Sequence, residues 1–240
     1  MPPGALPLVA DLADPKSLEV VRHAGLIRSI VYCASADART DEAYERAYVR
    51  GLDNLLDAVD ARLVERVIFT ASTAVYHQDS GWVDESSPTE PTSFTGRRLL
   101  EAERLLHAFP ATTISLRLGG IYGPGRTRMV RSVERGELGP DRYTNRIHLD
   151  DCAGALEHLL RVEHPDPVYV GVDDDPAPLS EVAAFIAHRL EVDAPALEGP
   201  PSGKRCRNAK LVESGYGFEM PSYRDGYPAI IDEYRGRGQG

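Results

Sequence analysis

Three continuous apolar runs dominate the chain: Ser29 to Ser35 (SIVYCAS), Arg66 to Ser72 (RVIFTAS) and Thr112 to Leu118 (TTISLRL). Runs that do not alternate with polar residues suit strands buried on both faces, as in a parallel sheet. Parallel neighbours must be joined by long crossovers, and the intervening segments have helical periodicity. Asp41 to Asp60 places Tyr44, Tyr48, Leu52, Leu55, Leu56 and Val59 on one stripe. Leu99, Leu100, Leu105 and Leu106 punctuate a second amphipathic helix, predicted to start near Gly96. This alternation predicts an α/β fold: a Rossmann-like, doubly wound parallel sheet with right-handed crossovers.

The remaining pieces fill in around that frame. Leu6 to Leu12 (LPLVADL) is a short apolar run predicted to form a strand, and Asp14-Pro15 marks a turn before a short helix over Ser17 to Ala24. After Gly119 to Arg126 (GGIYGPGR) a short helix is expected over Thr127 to Arg135. Arg142 to Val162 reads as an extended piece running into a helix capped by Asp150. Val168 to Val172 is a late strand, Pro178 to Leu190 a helix, and the Pro-, Gly- and Arg-containing tail from Glu191 a small C-terminal α+β lobe. The expected division is a core over 1–136 and a mixed remainder over 137–240.

Composition removes several classes of function. The formal charge of −10 and pI of about 5.2 argue against nucleic-acid binding, which needs concentrated positive charge. Three widely spaced cysteines, Cys33, Cys152 and Cys206, form neither a disulfide framework nor a CxxC pair, which points to a reducing compartment. No apolar run approaches ~18 residues and no signal-peptide pattern is present, so a cytoplasmic protein with no membrane partner is expected. The seven histidines have no metal-ligand spacing, so no metal is expected.

Taken in order, VADL (Val9 to Leu12), VYCASA (Val31 to Ala36), FTASTAVY (Phe69 to Tyr76), the DESSPTEP loop, RLGGIYGPGR (Arg117 to Arg126) and NRIHLDDCAGAL (Asn145 to Leu156) resemble the extended and atypical short-chain dehydrogenase/reductases, the NAD-dependent epimerase/dehydratase family. TGRRLLEAE, GKRCRNAKL and the YRDGYP tail resemble its atypical, YeeZ-like group. The resemblance implies NAD or NADP as cofactor, with contacts from Asp11, Ala34, Ser35, Gly119 and Ile121. It implies a homodimer through the helices at 41–60 and 96–106.

Family members open with a strand and a GxxGxxG-type turn, whose glycines let backbone amides and a helix dipole reach the cofactor pyrophosphate. No such turn precedes Ser29, and LPLVADL matches the family's third strand. The expected consequence is a sheet missing its first strands, in which Leu6 to Leu12 pairs directly with Ser29 to Ser35 by a right-handed crossover, or sits at an exposed edge that a partner covers.

Family redox chemistry uses a Ser or Thr to orient the substrate oxygen and a Tyr to transfer its proton. A Lys four residues after the Tyr lowers the phenol's pKa and holds the ribose, one helical turn placing both on one face. Ser72 stands where the resemblance places the Ser or Thr. The Tyr-Gly-x-x-Lys motif falls on Thr95-Gly96-Arg97-Arg98-Leu99, so Thr95 and Leu99 occupy the Tyr and Lys positions. Thr is too weak an acid to replace a phenol near neutral pH, and an aliphatic side chain cannot hold a ribose. Tyr76 and Tyr122, at strand ends, are the remaining acid-base candidates.

Arg98, Asn145, His148, Lys204, Arg205, Asn208 and Arg224 are candidates for holding a small anionic substrate. Arg98 has a second reading as a helix salt bridge, His148 as a structural residue, and the tail arginines as ties within the lobe. Three functions remain open: a family member degenerate in redox catalysis, an active NAD(P)-dependent oxidoreductase or epimerase with a truncated N-terminus, and a non-redox lyase or isomerase using the same cleft.

Overall fold

A computed structural model describes residues 4–237. The fold is α/β, with a four-stranded sheet in the order β1-β2-β4-β7 formed by Ser29–Tyr32 (β1), Arg66–Ser72 (β2), Thr112–Leu118 (β4) and Val168–Gly171 (β7). β1 and β2 are parallel, with Ser29 opposite Arg66 and Tyr32 opposite Phe69. Val67, Ile68 and Phe69 of β2 and Ile114 and Leu116 of β4 are fully buried, as their unbroken apolar runs require.

The chain divides into two compact units that are not contiguous in sequence. Among the described residues the first comprises 4–75, 89–116 and 162–168, and the second 76–88, 117–161 and 169–237. The division does not fall at Gly136: the segments 76–88 and 117–136 belong with the later chain.

In the first unit the long helix expected over Asp41 to Asp60 has an internal change of pitch. An α-helical turn, Asp41–Tyr44 (α2), runs into a π-helical stretch, Glu45–Arg50, and then Gly51–Ala58 (α3). Thr40 caps its start by accepting from Ala43 N. The Tyr32 hydroxyl donates to Ala47 O at 2.5 Å, giving a carbonyl in the irregular stretch a partner from the sheet. The amphipathic helix spans Phe94–His107 (α4), begins two residues before Gly96, and buries Leu99, Ala102 and Leu106.

Leu6 to Leu12 corrects the sequence reading. These residues form no strand, and Leu6 and Val9 are 87% and 93% exposed. An apolar run becomes a strand only where a neighbour supplies ladder hydrogen bonds; here the segment ends in turns closed by Asp14 N to Asp11 O and Ser17 N to Asp14 O. The helix after it is one turn, Glu19–Arg22 (α1).

The second unit is α+β. Trp82–Val83 (β3) pairs in parallel with Arg205–Cys206 (β8), and Gly120–Tyr122 (β5) with Arg146–His148 (β6). Helices Arg128–Glu134 (α5), Leu179–Leu190 (α7) and Tyr223–Arg237 (α9) enclose a core that includes Val130, Val182, Ile186, Tyr223, Tyr227 and Ile230. Leu149–Leu159 (α6) is capped by His148, whose side chain accepts from Asp150 N at 3.3 Å, and not by Asp150, which lies in its first turn. Ala209–Glu213 (α8) completes the unit.

Candidate functional site

In the first unit, β2 ends in a single 3-10 turn, Thr73–Val75, and Ser72 Oγ accepts from Ala74 N at 3.2 Å. That bond closes the turn and holds the serine side chain at the strand's end. The start of α4 packs tightly against this turn. A Cβ on Gly96 would clash with the Ala74 carbonyl oxygen and lie 2.5 Å from Pro91 Cβ, so a side chain is excluded there.

Thr95 and Leu99 are thereby fixed, and both face inward: they are 8% and 4% exposed. Ser93 caps the helix by accepting from Gly96 N, and its hydroxyl shares a 2.9 Å hydrogen bond with Thr95 Oγ1. Thr95 acts in the cap, and Leu99 in the core beside Ala102 and Leu106. The family's ribose-holding cation and proton-transferring phenol have no counterpart at these two positions. The residues present do not fit a nicotinamide ribose there.

The other positions assigned to a cofactor have local roles. Asp11 sits in an exposed turn, where Oδ1 accepts from Ala13 N at 2.8 Å. Ala34 and Ser35 follow β1. Tyr48 bonds to Ala36 backbone and to the Ser35 side chain, and burial nonetheless raises its phenol above the ordinary value. Tyr48 also packs with Tyr44 (5.1 Å between ring centres) and edge-on to Phe69 (6.3 Å). Gly119 permits a close approach in the second unit, since a Cβ would lie 2.8 Å from Asn145 O and 2.9 Å from a Val172 methyl. Ile121 pairs with Ile147 across β5 and β6.

Arg98 is engaged within the first unit. Its Nε and Nη2 donate to the two Asp41 carboxylate oxygens at 2.8 and 2.9 Å, and Nη1 donates to Glu101 at 2.8 Å. The hydrogen bonds from Arg98 hold the Asp41 carboxyl below its ordinary pKa. Arg98 thus forms a fork between helices α2 and α4. An open groove of about 760 Å³ runs alongside, lined by Arg97, Arg98, Arg104, Glu90 and Glu101 among others.

In the second unit the sequence candidates separate into two groups. Tyr76 is buried, and its hydroxyl accepts from Arg117 Nη1 at 2.9 Å. Burial pushes the Tyr76 phenol up to about 12, with the Arg117 charge opposing, so it stays protonated near neutrality. Lys204 Nζ donates to Tyr76 O at 2.7 Å, and burial lowers its pKa. Asn145 ties this group together, donating to Lys204 O at 3.1 Å and accepting from Cys206 N at 2.6 Å. Burial pushes the Cys206 thiol up to about 12, which removes it as a thiolate nucleophile.

The second group is Tyr122 with His148. The rings meet edge-on at 5.2 Å, Tyr122 stacks on Tyr227 at 5.0 Å, and its hydroxyl donates to Ser222 O at 3.1 Å. Burial drives the Tyr122 phenol far above its ordinary pKa. Asn208 and Arg224 lie with neither group. Asn208 donates to Val172 O and Asp174 Oδ1, and Arg224 pairs with Asp175 at 2.5 Å and with Glu181. Asn208 and Arg224 thus knit the lobe together, while neither Lys204, which donates to a backbone carbonyl, nor Arg205 has an ion pair among the described residues.

Sequence reasoning missed three polar features. Asp151 is fully buried and accepts from the Tyr216 hydroxyl and from Glu219 N and Met220 N. Asp173 is buried, and one carboxylate oxygen has no hydrogen-bond partner. Trp82, Tyr143, Arg205 and Arg207 form an aromatic and cationic stack. No local pattern announces the last, because β3 and β8 are far apart in sequence. Among the described residues no cluster of His, Cys, Asp or Glu could hold a metal, and no helix is long and apolar enough to cross a membrane.

Comparison with known proteins points one way. The sequence profile of the NAD dependent epimerase/dehydratase family matches residues 8–171. Protein YeeZ of Escherichia coli is 36% identical over 135 residues, covering 55% of this chain and 48% of the relative. A 2-alkyl-3-oxoalkanoate reductase of Stenotrophomonas maltophilia is 27% identical over 199 residues, covering 72% of this chain and 59% of that protein. The chain thus spans about half the length of the curated relatives it matches. Among solved structures, a chain from Methylobacillus flagellatus, described as of the NAD-dependent epimerase/dehydratase type, superposes with a TM-score of 0.85 at 36% identity, covering 98% of this chain and 86% of that one.

Proposed function

Because this chain belongs to the NAD-dependent epimerase/dehydratase family, we propose that it is a member degenerate in ordinary redox catalysis, a binding or assembly protein on an inherited scaffold. The observation that carries this reading is the occupancy of the two helical positions. Leu99 lies in the core where a ribose-holding cation is needed, and Thr95 is tied to the Ser93 cap where a phenol is needed. Neither can transfer a proton near neutral pH. Ser72 and the Tyr76–Arg117 pair survive as polar groups, but Tyr76 is buried with its proton retained.

The competing reading, an active oxidoreductase, draws on the similarity to a protein named a reductase. One experiment separates the two. Isothermal titration of the protein with NADH and with NADPH should give no binding in the micromolar range, and the mixture should show no substrate-dependent change in nicotinamide absorbance. Micromolar binding together with hydride transfer would overturn the degenerate reading in favour of the oxidoreductase.

A further inference from the structure

Two halves of an unmade strand pairing lie in the first unit. β1 is the outer strand of the sheet, with β2 on one side and no strand on the other. Arg66 N donates to Arg28 O at 3.2 Å, and in a parallel ladder residues facing the neighbour alternate with residues facing away. With Ser29 opposite Arg66, the backbone groups of Arg28, Ile30 and Tyr32 turn toward β2, and those of Ser29, Val31 and Cys33 turn outward. The side chains of Ser29, Val31 and Cys33 are exposed as well. Sheet edges are normally blunted by charge, proline or a covering group. The far edge has such a cover, since Glu85 Oε1 accepts from Val170 N of β7 at 2.7 Å. The β1 edge, SIVYC, carries no charge and no proline, and no such cap among the described residues.

The other half is Leu6 to Asp11 (LPLVAD), an apolar run with no ladder, whose Leu6, Leu8 and Val9 side chains are exposed. It starts from a fixed point: Leu12 O accepts from Asn54 Nδ2 of α3 at 2.9 Å, and Leu18 is buried. Pro7 decides which residues can pair. It has no N–H and must face away from the edge, so Leu6, Leu8 and Ala10 carry the ladder bonds. Set antiparallel against Cys33, Val31 and Ser29, these residues pair Leu8 with Val31 and Val9 with Ile30, and bring Asp11 opposite Arg28. A shift of the register by two residues sets Asp11 against Ile30 or Leu26 and loses the charge pair. An antiparallel edge strand on an otherwise parallel sheet is a common arrangement.

We propose that the Leu6 to Asp11 run of one copy adds as an antiparallel edge strand to β1 of a second copy, reciprocally, so that two copies close into a symmetric dimer. Covering the exposed apolar side chains and the open edge in both copies removes on the order of 1,000 Å² from solvent, the threshold for a specific interface. The contact does not involve the helices at 41–60 and 96–106. It is also independent of Thr95 and Leu99, so it stands whether or not a nicotinamide cofactor binds.

Size exclusion with light scattering, across the micromolar range, should report a dimer. Leu8→Pro removes a ladder donor, and Val31→Lys puts a charge on the edge; each should raise the dissociation constant about tenfold or more. Both positions are exposed, and far-UV circular dichroism separates lost pairing from lost folding. Leu6→Cys tests the register. In the proposed pairing it faces the exposed Cys33 at a spacing that a disulfide can bridge, while Cys152 and Cys206 are buried. Mild oxidation should join position 6 of one copy to Cys33 of the other, as read by non-reducing electrophoresis and peptide mapping. A monomeric protein, a dimer indifferent to both variants, or failure of that disulfide to form would overturn the proposal. A disulfide within one chain would overturn it too, by making the chain's own run the occupant of its edge.

Discussion

Asp173→Asn is expected to change how the protein's stability depends on pH. Asp173 is 2% exposed; its Oδ1 accepts from Asp175 N at 3.3 Å, and Oδ2 has no hydrogen-bond partner. Burial raises its pKa to about 8, with Arg146 opposing and the neighbouring Asp175 and Asp174 charges adding to the rise. In the unfolded chain an aspartate titrates near ~3.9. Between these values the native state holds a proton that the unfolded state has released. Stability therefore falls as pH rises through that window and levels off above about 8. The slope for one proton is about 1.4 kcal/mol per pH unit, which gives a ceiling of about 4 kcal/mol between pH 5 and pH 8. Relaxation and water entry should reduce the observed change to about half of that. Asparagine keeps the shape, carries no charge, and places an NH2 donor where Oδ2 was unmet. Urea unfolding of both proteins at pH 5, 6.5 and 8 isolates the effect, since all other groups cancel in the difference. The variant should gain on the wild type steadily as pH rises. A difference independent of pH over this range would show that Asp173 titrates as an ordinary carboxylate and would refute the argument.

Two glycines on helices should respond to alanine in opposite directions. Gly96→Ala forces a Cβ into the Ala74 carbonyl and Pro91, and thermal denaturation should show a loss of about 1–3 kcal/mol despite alanine's better helix propensity. Gly236→Ala in α9 has nothing within 4 Å of the new Cβ and should be neutral or gain up to about 1 kcal/mol in the same assay.

The parts of the fold legible in the sequence were those whose signal is local. β2 and β4 keep unbroken apolar runs because both faces are covered, and their observed limits coincide with those runs. Leu6 to Leu12 carries the same apolar signal, but strand formation depends on a hydrogen-bonding neighbour that composition does not record. Helix α9 escaped notice because Gly226 and Pro228 interrupt its pattern; it is held by Tyr223, Tyr227, Ile230 and Ile231 packing against α5 and α7. Gly226 is itself required, since a Cβ there would lie 2.6 Å from the Tyr122 ring. The Trp82 stack was not legible, because it joins residues brought together by a two-residue ladder.

Leu99 also bears on the reading that the chain is degenerate in redox catalysis. In the family pattern its position carries a lysine, which must keep its charged end in a polar environment. Here the side chain is 4% exposed on a helix whose inner face also buries Ala102 and Leu106, and its neighbour in the motif, Thr95, is engaged with the helix cap. A lysine at this depth would lose about 2–3 kcal/mol of apolar burial and would also have to desolvate its ammonium or give up the proton. Leu99→Lys is therefore expected to lower the melting temperature by about 4–12 °C from the lost burial alone, using about 2–4 °C per kcal/mol for a chain of this size. It should leave NADH and NADPH affinity unchanged by titration calorimetry. A variant that melts like the wild type and acquires micromolar cofactor binding would show that the position still opens onto a cofactor cleft. The predicted loss instead means that the position now serves packing, so selection for stability alone would retain the leucine.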